Sequence, residues 1–174
     1  MEIDIKIYPD NFLLKKCEDI DFEKDNWKEI AASLIVSIYK YKAVGMAAPQ
    51  IGILKNIFVT DHIWKGNKKN IYKNLNVFIN PKIINTSIED VLSTEGCISI
   101  PTVGGVIYRQ KEITIEYFDE HTNKVQKTFS NMLSKIIQHE MDHLNGILFI
   151  NKMPENQRSL IASKLFSLRR HQKD

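Results

Sequence analysis

The sequence predicts an α+β fold: short, mostly antiparallel strands packed around one buried helix, with a further helix closing the chain. Three observations carry this. Met132, Leu133, Ile136, Ile137, Met141 and Leu144 recur at helical spacing, which makes a helix that should be largely buried. Residues 113–118 alternate polar and apolar, and after a turn at His121-Thr122-Asn123 the run 125–129 returns, so the two make a hairpin. Residues 155–170 form a closing helix with Leu160, Ile161, Leu165 and Leu168 facing inward.

The remaining elements follow in chain order. Residues 10–16, after Pro9, read as a helical turn. In residues 25–41, Trp27, Ile30, Ala31, Leu34, Ile35, Ile38 and Tyr39 recur at three and four, giving an amphipathic helix that packs on the core. Residues 43–52 are small, apolar and loop-like, with Gln50 as the one polar side chain; small residues let backbone approach a ligand or another strand. Strands follow at 57–60, 77–79 and 82–84, the last two separated by a stop at Asn80-Pro81. The lysine- and asparagine-rich run 64–73 is an exposed loop. Residues 95–101 read as irregular backbone, because Cys97 follows Gly96 and precedes Pro101, with Arg109 at the start of the next strand. Ser130 or Asn131 caps the buried helix, Gly146 ends it, and 147–150 is a short strand.

A chain of 174 residues, 43% hydrophobic and 26% charged, is long enough for one domain, taken here as 1–174, with a sizeable core. The net charge of +3 is small, and the lysines are scattered except for a modest basic end at Arg169, Arg170 and Lys173, so a nucleic-acid site is not expected. No apolar run is long enough to span a membrane, and Glu2 and Asp4 among Ile3, Ile5 and Ile7 do not make a signal peptide. Two cysteines are too few for a disulfide framework, which points to a reducing cytoplasm. Cys17 lies in a polar segment that reads as surface, and His62, His121 and His171 likewise sit in polar surroundings.

The chemistry concentrates in Gln138-His139-Glu140-Met141-Asp142-His143. Residues four apart on a helix share a face, so His139 and His143 can present two imidazole nitrogens to one metal ion. Glu140, beside the first ligand, can reach a metal-bound water as an acid/base. Burying three ionisable groups in an apolar helix is costly unless they are paired or bound to metal. A catalytic metal usually takes a third protein ligand. Downstream, the position where another histidine could extend the motif holds Phe149, and Glu155 belongs to the start of another helix. Upstream, Cys97 is a soft ligand candidate or an ordinary buried cysteine, and spacing does not decide between these. Glu95, a carboxylate beside an apolar stretch, calls for a cation, for which Arg109 is the candidate.

Three segments together resemble the peptide deformylase family: Val44-Gly45-Met46-Ala47-Ala48-Pro49-Gln50, Glu95-Gly96-Cys97-Ile98-Ser99, and Gln138-His139-Glu140-Met141-Asp142-His143. The resemblance runs over about residues 7–168. It implies that Cys97, His139 and His143 hold one divalent metal, Fe(II) in most of the family, with Zn, Ni or Co as substitutes. It implies that Gln50 and the N–H of Ile98 contact a formyl oxygen, with Glu140 as acid/base. The substrates would be N-formyl-methionyl nascent polypeptides, with Val44, Gly45 and Met132 at the methionine pocket and Glu95 and Arg109 bracing the cleft. A monomer in the bacterial cytoplasm, touching the ribosome transiently through its basic C-terminal helix, is the matching expectation.

The chain departs from the family at three places: Ala43 where glycine is usual, Gly104 where many bacterial members carry arginine, and Asn131 in place of a glycine before the helix. Two other readings of the motif make different demands. A zinc endopeptidase would not need Cys97, and a structural metal site would need a fourth protein ligand, for which Cys17 is the spare.

Overall fold

The computed structural model describes residues 4–64 and 68–170. The four residues of β2 (Ile57–Thr60) are all buried, because this strand lies mid-sheet with both faces covered. Successive side chains point to opposite faces. Ile57 and Val59 therefore pack with Leu34 and Ile38 of α1 (Trp27–Lys40), while Phe58 packs on the other side with Ile137 and Met141 of α2 (Asn131–Leu144). The same alternation divides Val77 and Ile79 from Phe78 in β3 (Asn76–Thr86).

Among the described residues, one sheet has the order β1-β2-β3-β6-β7, antiparallel throughout, where β1 is Gly45–Ala47, β6 Glu112–Phe118 and β7 Lys124–Ser130. A second, two-stranded sheet pairs β4 (Asp90–Cys97) with β5 (Ile100–Gln110). Helix α2 packs against both sheets, which makes it the buried centre of an α+β fold. A third apolar cluster joins Ile100, Val103 and Ile107 of β5 to Phe149 and Ile150 of α3 (Phe149–Lys152) and Ile161 of α4 (Glu155–Arg170).

The first helix, the 113–129 hairpin, the short 3₁₀ turn Asn11–Leu14 and the closing helix stand where the periodicities place them. Several expectations are corrected. Strand β3 does not stop at Asn80-Pro81 but runs through it, because a register shift between Ile79 and Lys82 takes proline out of the ladder. Residues 90–110 form the long β4–β5 ribbon, so 95–101 is not free loop; the pairing shifts at Cys97, whose partner is Ile100 across a tight turn. The segment 43–52 contains β1 and a 3₁₀ turn, Ala48–Ile51. The run 147–150 is not a strand: a helical turn begins at Phe149, and Asn151 Oδ1 accepts from Leu148 N at 3.1 Å.

Burial also differs from expectation at single residues. Leu160 is 81% exposed, whereas Ile161 is buried and Leu165 and Leu168 are half-buried, so α4 rests on a narrower stripe than its leucines suggest. Trp64 is buried, its Nε1–H donating to Ala43 O at 2.7 Å, so 64–73 does not begin as exposed loop. Cys17 is buried beside Leu144 of α2 rather than on the surface. Met132 is 44% exposed, because α2 turns it away from the sheet and into a cavity. Ser130 takes the N-cap position of α2 without a side-chain capping bond. Gly146 ends α2 at φ +70°, and a Cβ there would stand 2.5 Å from Leu14 O, so glycine serves both the turn and the close approach. His121 is exposed and His62 half-buried near Asn74. Residues 1–3, His171, Lys173 and the side chains of Arg169 and Arg170 lie outside what the structure describes.

Candidate metal centre

Helix α2 carries His139 and His143 one turn apart, with ring centroids 5.0 Å from each other. Cys97 arrives at the end of β4, where the register shift and the turn to Ile100 bring its sulfur to the helix. Its Sγ lies 3.3 Å from His143 Nε2. One ligand atom each from Cys97, His139 and His143 lie within 4.8 Å of one another. One thiolate and two imidazoles are a donor set for a transition metal, and three protein ligands leave a position open. Among the described residues this is the one such grouping, and Cys17 is not in it. Burial pushes the Cys17 thiol up to about 12, as suits an inert core cysteine.

The partners of this triad orient it. Glu95 Oε2 stands 2.8 Å from His139 Nδ1, which fixes the ring and leaves Nε2 toward the centre. The same carboxylate accepts from Arg109 Nε and Nη2, both at 2.8 Å. Burial pushes Glu95 up, but the Arg109 and His139 hydrogen bonds outweigh it and hold the carboxyl down at about 2. Arg109 sits near the end of β5 rather than at a strand start, with a side chain 1% exposed, and its Nη1 also donates to Asp142 Oδ2 at 2.5 Å. Asp142 Oδ1 in turn accepts from Lys152 Nζ at 2.7 Å. The chain His139–Glu95–Arg109–Asp142–Lys152 thus locks α2 to both strands of the ribbon and to α3.

Two side chains face the centre without holding it. Glu140 is 4% exposed, and burial pushes its carboxyl up to about 7. Among the described residues its Oε2, a buried polar atom, has no hydrogen-bond partner. Gln50 accepts from Ala47 N at 2.9 Å through Oε1. That leaves its Nε2 to donate toward Cys97 Sγ at 3.5 Å and Ser99 Oγ at 3.2 Å. For Cys97, burial raises the thiol, but the two histidines beside it win and hold it well below its ordinary range, favouring thiolate.

Beside the centre opens a cavity of about 940 Å³, lined among others by Val44, Gly45, Ile98, Met132, Ile136 and Glu140. All the site residues expected from sequence therefore fall at the triad, in its braces or on this cavity; Ala43 and Gly104 line it as well. A Cβ on Gly45 would collide with Glu140 Oε1, so this glycine gives the carboxylate its room. Two residues went unassigned in the sequence. Gln138 is buried and clasps Gln110, accepting from its N at 3.0 Å and donating to its O at 2.9 Å; a buried amide beside the histidine motif was the available signal. Ser99 had no signal, since its partner Gln50 lies 49 residues away.

Comparison with known proteins agrees with this geometry. The family model described as polypeptide deformylase matches residues 3–159. The chain is 38% identical over 176 residues to a peptide deformylase of Christiangramia forsetii, covering 97% of this chain and 90% of that one. It is 35% identical over 164 residues to a peptide deformylase of Pseudothermotoga lettingae, with 94% and 90% covered. The fold superposes on a solved peptide deformylase of Plasmodium falciparum with TM-score 0.91 at 35% identity, covering 98% of this chain and 97% of the other.

Proposed function

This chain belongs to the polypeptide deformylase family, and from that membership we infer how its residues divide the work. It is a metal-dependent hydrolase that removes the N-formyl group from the N-terminal methionine of newly made polypeptides and releases formate. The convergence of Cys97, His139 and His143 carries the assignment of the metal ligands. The donor set, the unpartnered Glu140 Oε2 and the braced His139 ring all fit such an ion. Fe(II) is the native ion in this reading, and Zn, Ni or Co can replace it, since thiolate and imidazole suit all of them. When bound, the ion acts as a Lewis acid and lowers the pKa of a coordinated water toward neutrality.

The side chains do the rest. Glu140 takes a proton from the water that attacks the formyl carbon and later delivers it to the departing amine. Negative charge gathers on the former carbonyl oxygen, where Gln50 Nε2 and the N–H of Ile98 donate to it; losing one such donor typically costs about 10²–10³ in rate. Val44 and Met132 form part of an apolar pocket for the methionine side chain, and Gly45 presents backbone beside Glu140. Glu95 and Arg109 hold His139 in place.

The whole of 1–174 acts as one domain in this reading, supported by the packing of both sheets on α2. No helix among the described residues is long and apolar enough to cross a membrane. The enzyme works as a monomer in the bacterial cytoplasm on emerging chains, with the basic α4, which carries Arg158 and Lys164, as its transient ribosome contact. The deciding measurement is formate release from formyl-Met-Ala-Ser by protein purified without oxygen and loaded with Fe(II) or Ni(II). Glu140→Ala keeps its metal and loses turnover, and Cys97→Ser loses both. Full activity in either variant would reject these roles.

A further inference from the structure

The cavity runs as a groove between α2 and β4. On the helix side it is lined by residue pairs one turn apart: Asn131 and Met132, Lys135 and Ile136, His139 and Glu140. On the strand side it passes from Cys97 down β4 through Glu95 and Ser93 to Val91. The metal ligands stand at one end. About 6 Å along the helix from His139, four residues at 1.5 Å each, Lys135 reaches across the groove. Its Nζ donates to Leu92 O of β4 at 2.6 Å. The groove continues beyond this bridge, where Val91, Lys111 and Asn131 line it.

We propose that Lys135 is a specificity-determining residue: its bridge to Leu92 closes the side-chain arm of the groove and sets the length of the first residue that the enzyme accepts. This rests on the reading above, in which the cavity that Val44 and Met132 help to line takes the methionine side chain. Lys135 stands between the part of the cavity next to Ile136 and His139 and its continuation at Asn131 and Val91, so a side chain that fills the near part ends against it. A longer chain meets an ammonium already held on a carbonyl, and can advance only by breaking a charge-assisted hydrogen bond and burying alkyl against a cation. Lys135 is half-buried and lines the cavity, while its ammonium meets Leu92 O on the solvent side, so the stem supplies apolar surface and the head supplies the stop.

The test compares kcat/KM for formyl-Met-Ala-Ser with kcat/KM for the same peptide bearing 2-aminooctanoate, whose side chain has six atoms in line, as the first residue. The ratio of the two is the readout. Lys135→Ala opens the arm, and the ratio shifts toward the longer side chain by roughly tenfold, the scale of one or two methylenes in a closed pocket. Lys135→Arg, which keeps a cation long enough to span the groove, retains the ratio of the unaltered enzyme. An unchanged ratio in Lys135→Ala, or an equal shift in both variants, overturns the proposal. Absence of formate from both peptides with the unaltered enzyme would instead reject the deformylase reading, and the proposal with it.

Discussion

Gly45 and Glu140 are packed so closely that one methyl group at position 45 would strike the carboxylate. Glu140 has little freedom to retreat: it is buried, its neighbour His139 is tied to Glu95, and its helix is clasped by Gln138 on Gln110. In the acid/base role proposed for Glu140, displacement loses rate before the protein loses stability, since a 1 Å error in placing a reacting group is enough to cost about 10²-fold. Gly45→Ala therefore lowers kcat for formyl-Met-Ala-Ser by about that factor, while bound metal, measured by elemental analysis, stays near one ion per chain. An active Gly45→Ala enzyme would mean that Glu140 acts from another position.

At the scale of elements, the site depends on how firmly α2 is seated. The sheet offers it an aromatic bed: Phe78 lies with its ring centroid 4.6 Å from Phe58 and 4.7 Å from Tyr117, and 5.8 Å from Phe129. Phe58 and Phe78 are fully buried. Phe78→Ala removes the middle of this bed and leaves a cavity under Ile137 and Met141, at a cost of about 3–5 kcal/mol in unfolding free energy by denaturant titration. Ile88→Ala, at a side chain that is entirely exposed, is the matched control and changes stability by less than about 0.5 kcal/mol. Equal effects from the two would show that α2 does not rest on these rings.

For the molecule as a whole, the proposed metal centre is also a fastener, because its candidate ligands come from two separate layers: Cys97 from the β4–β5 ribbon, and His139 and His143 from the helix beneath the larger sheet. An ion that binds the folded chain alone stabilises it by mass action, about 2.7 kcal/mol at a hundredfold excess over Kd. For a chain of this size that is about 5–10 °C in Tm. Calorimetry after chelation shows a fall of that order, reversed when Fe(II), Ni(II) or Zn(II) is restored. A Tm indifferent to chelator would mean that the two layers are held without the ion.

The sequence by itself determined whatever repeats locally. The 3.6-residue rhythm of α1 and α2, the alternation of β6 and the four-residue spacing of His139 and His143 are properties of short stretches of chain, readable because side-chain direction follows backbone period. Together with the resemblance of three short motifs they were enough for the fold class and the reaction, and they named the residues that the structure gathers around Cys97, His139 and His143. The tertiary structure alone decided what depends on distant partners. The β4–β5 ribbon was hidden because its buried residues Ile100, Val103 and Ile107 do not alternate; packing against α3 and α4 and a shifted register, not local propensity, make it a strand. Pro81 could stay within β3 only because a bulge spares it a ladder bond. Cys17, in a polar stretch of sequence, is core because α2 ends over it. Spacing alone leaves Cys97 between thiolate and buried hydrophobe; the turn after β4 sets its sulfur 3.3 Å from His143 Nε2. Lys135 is an ordinary lysine on a helix until Leu92, 43 residues earlier in the chain, offers it a carbonyl.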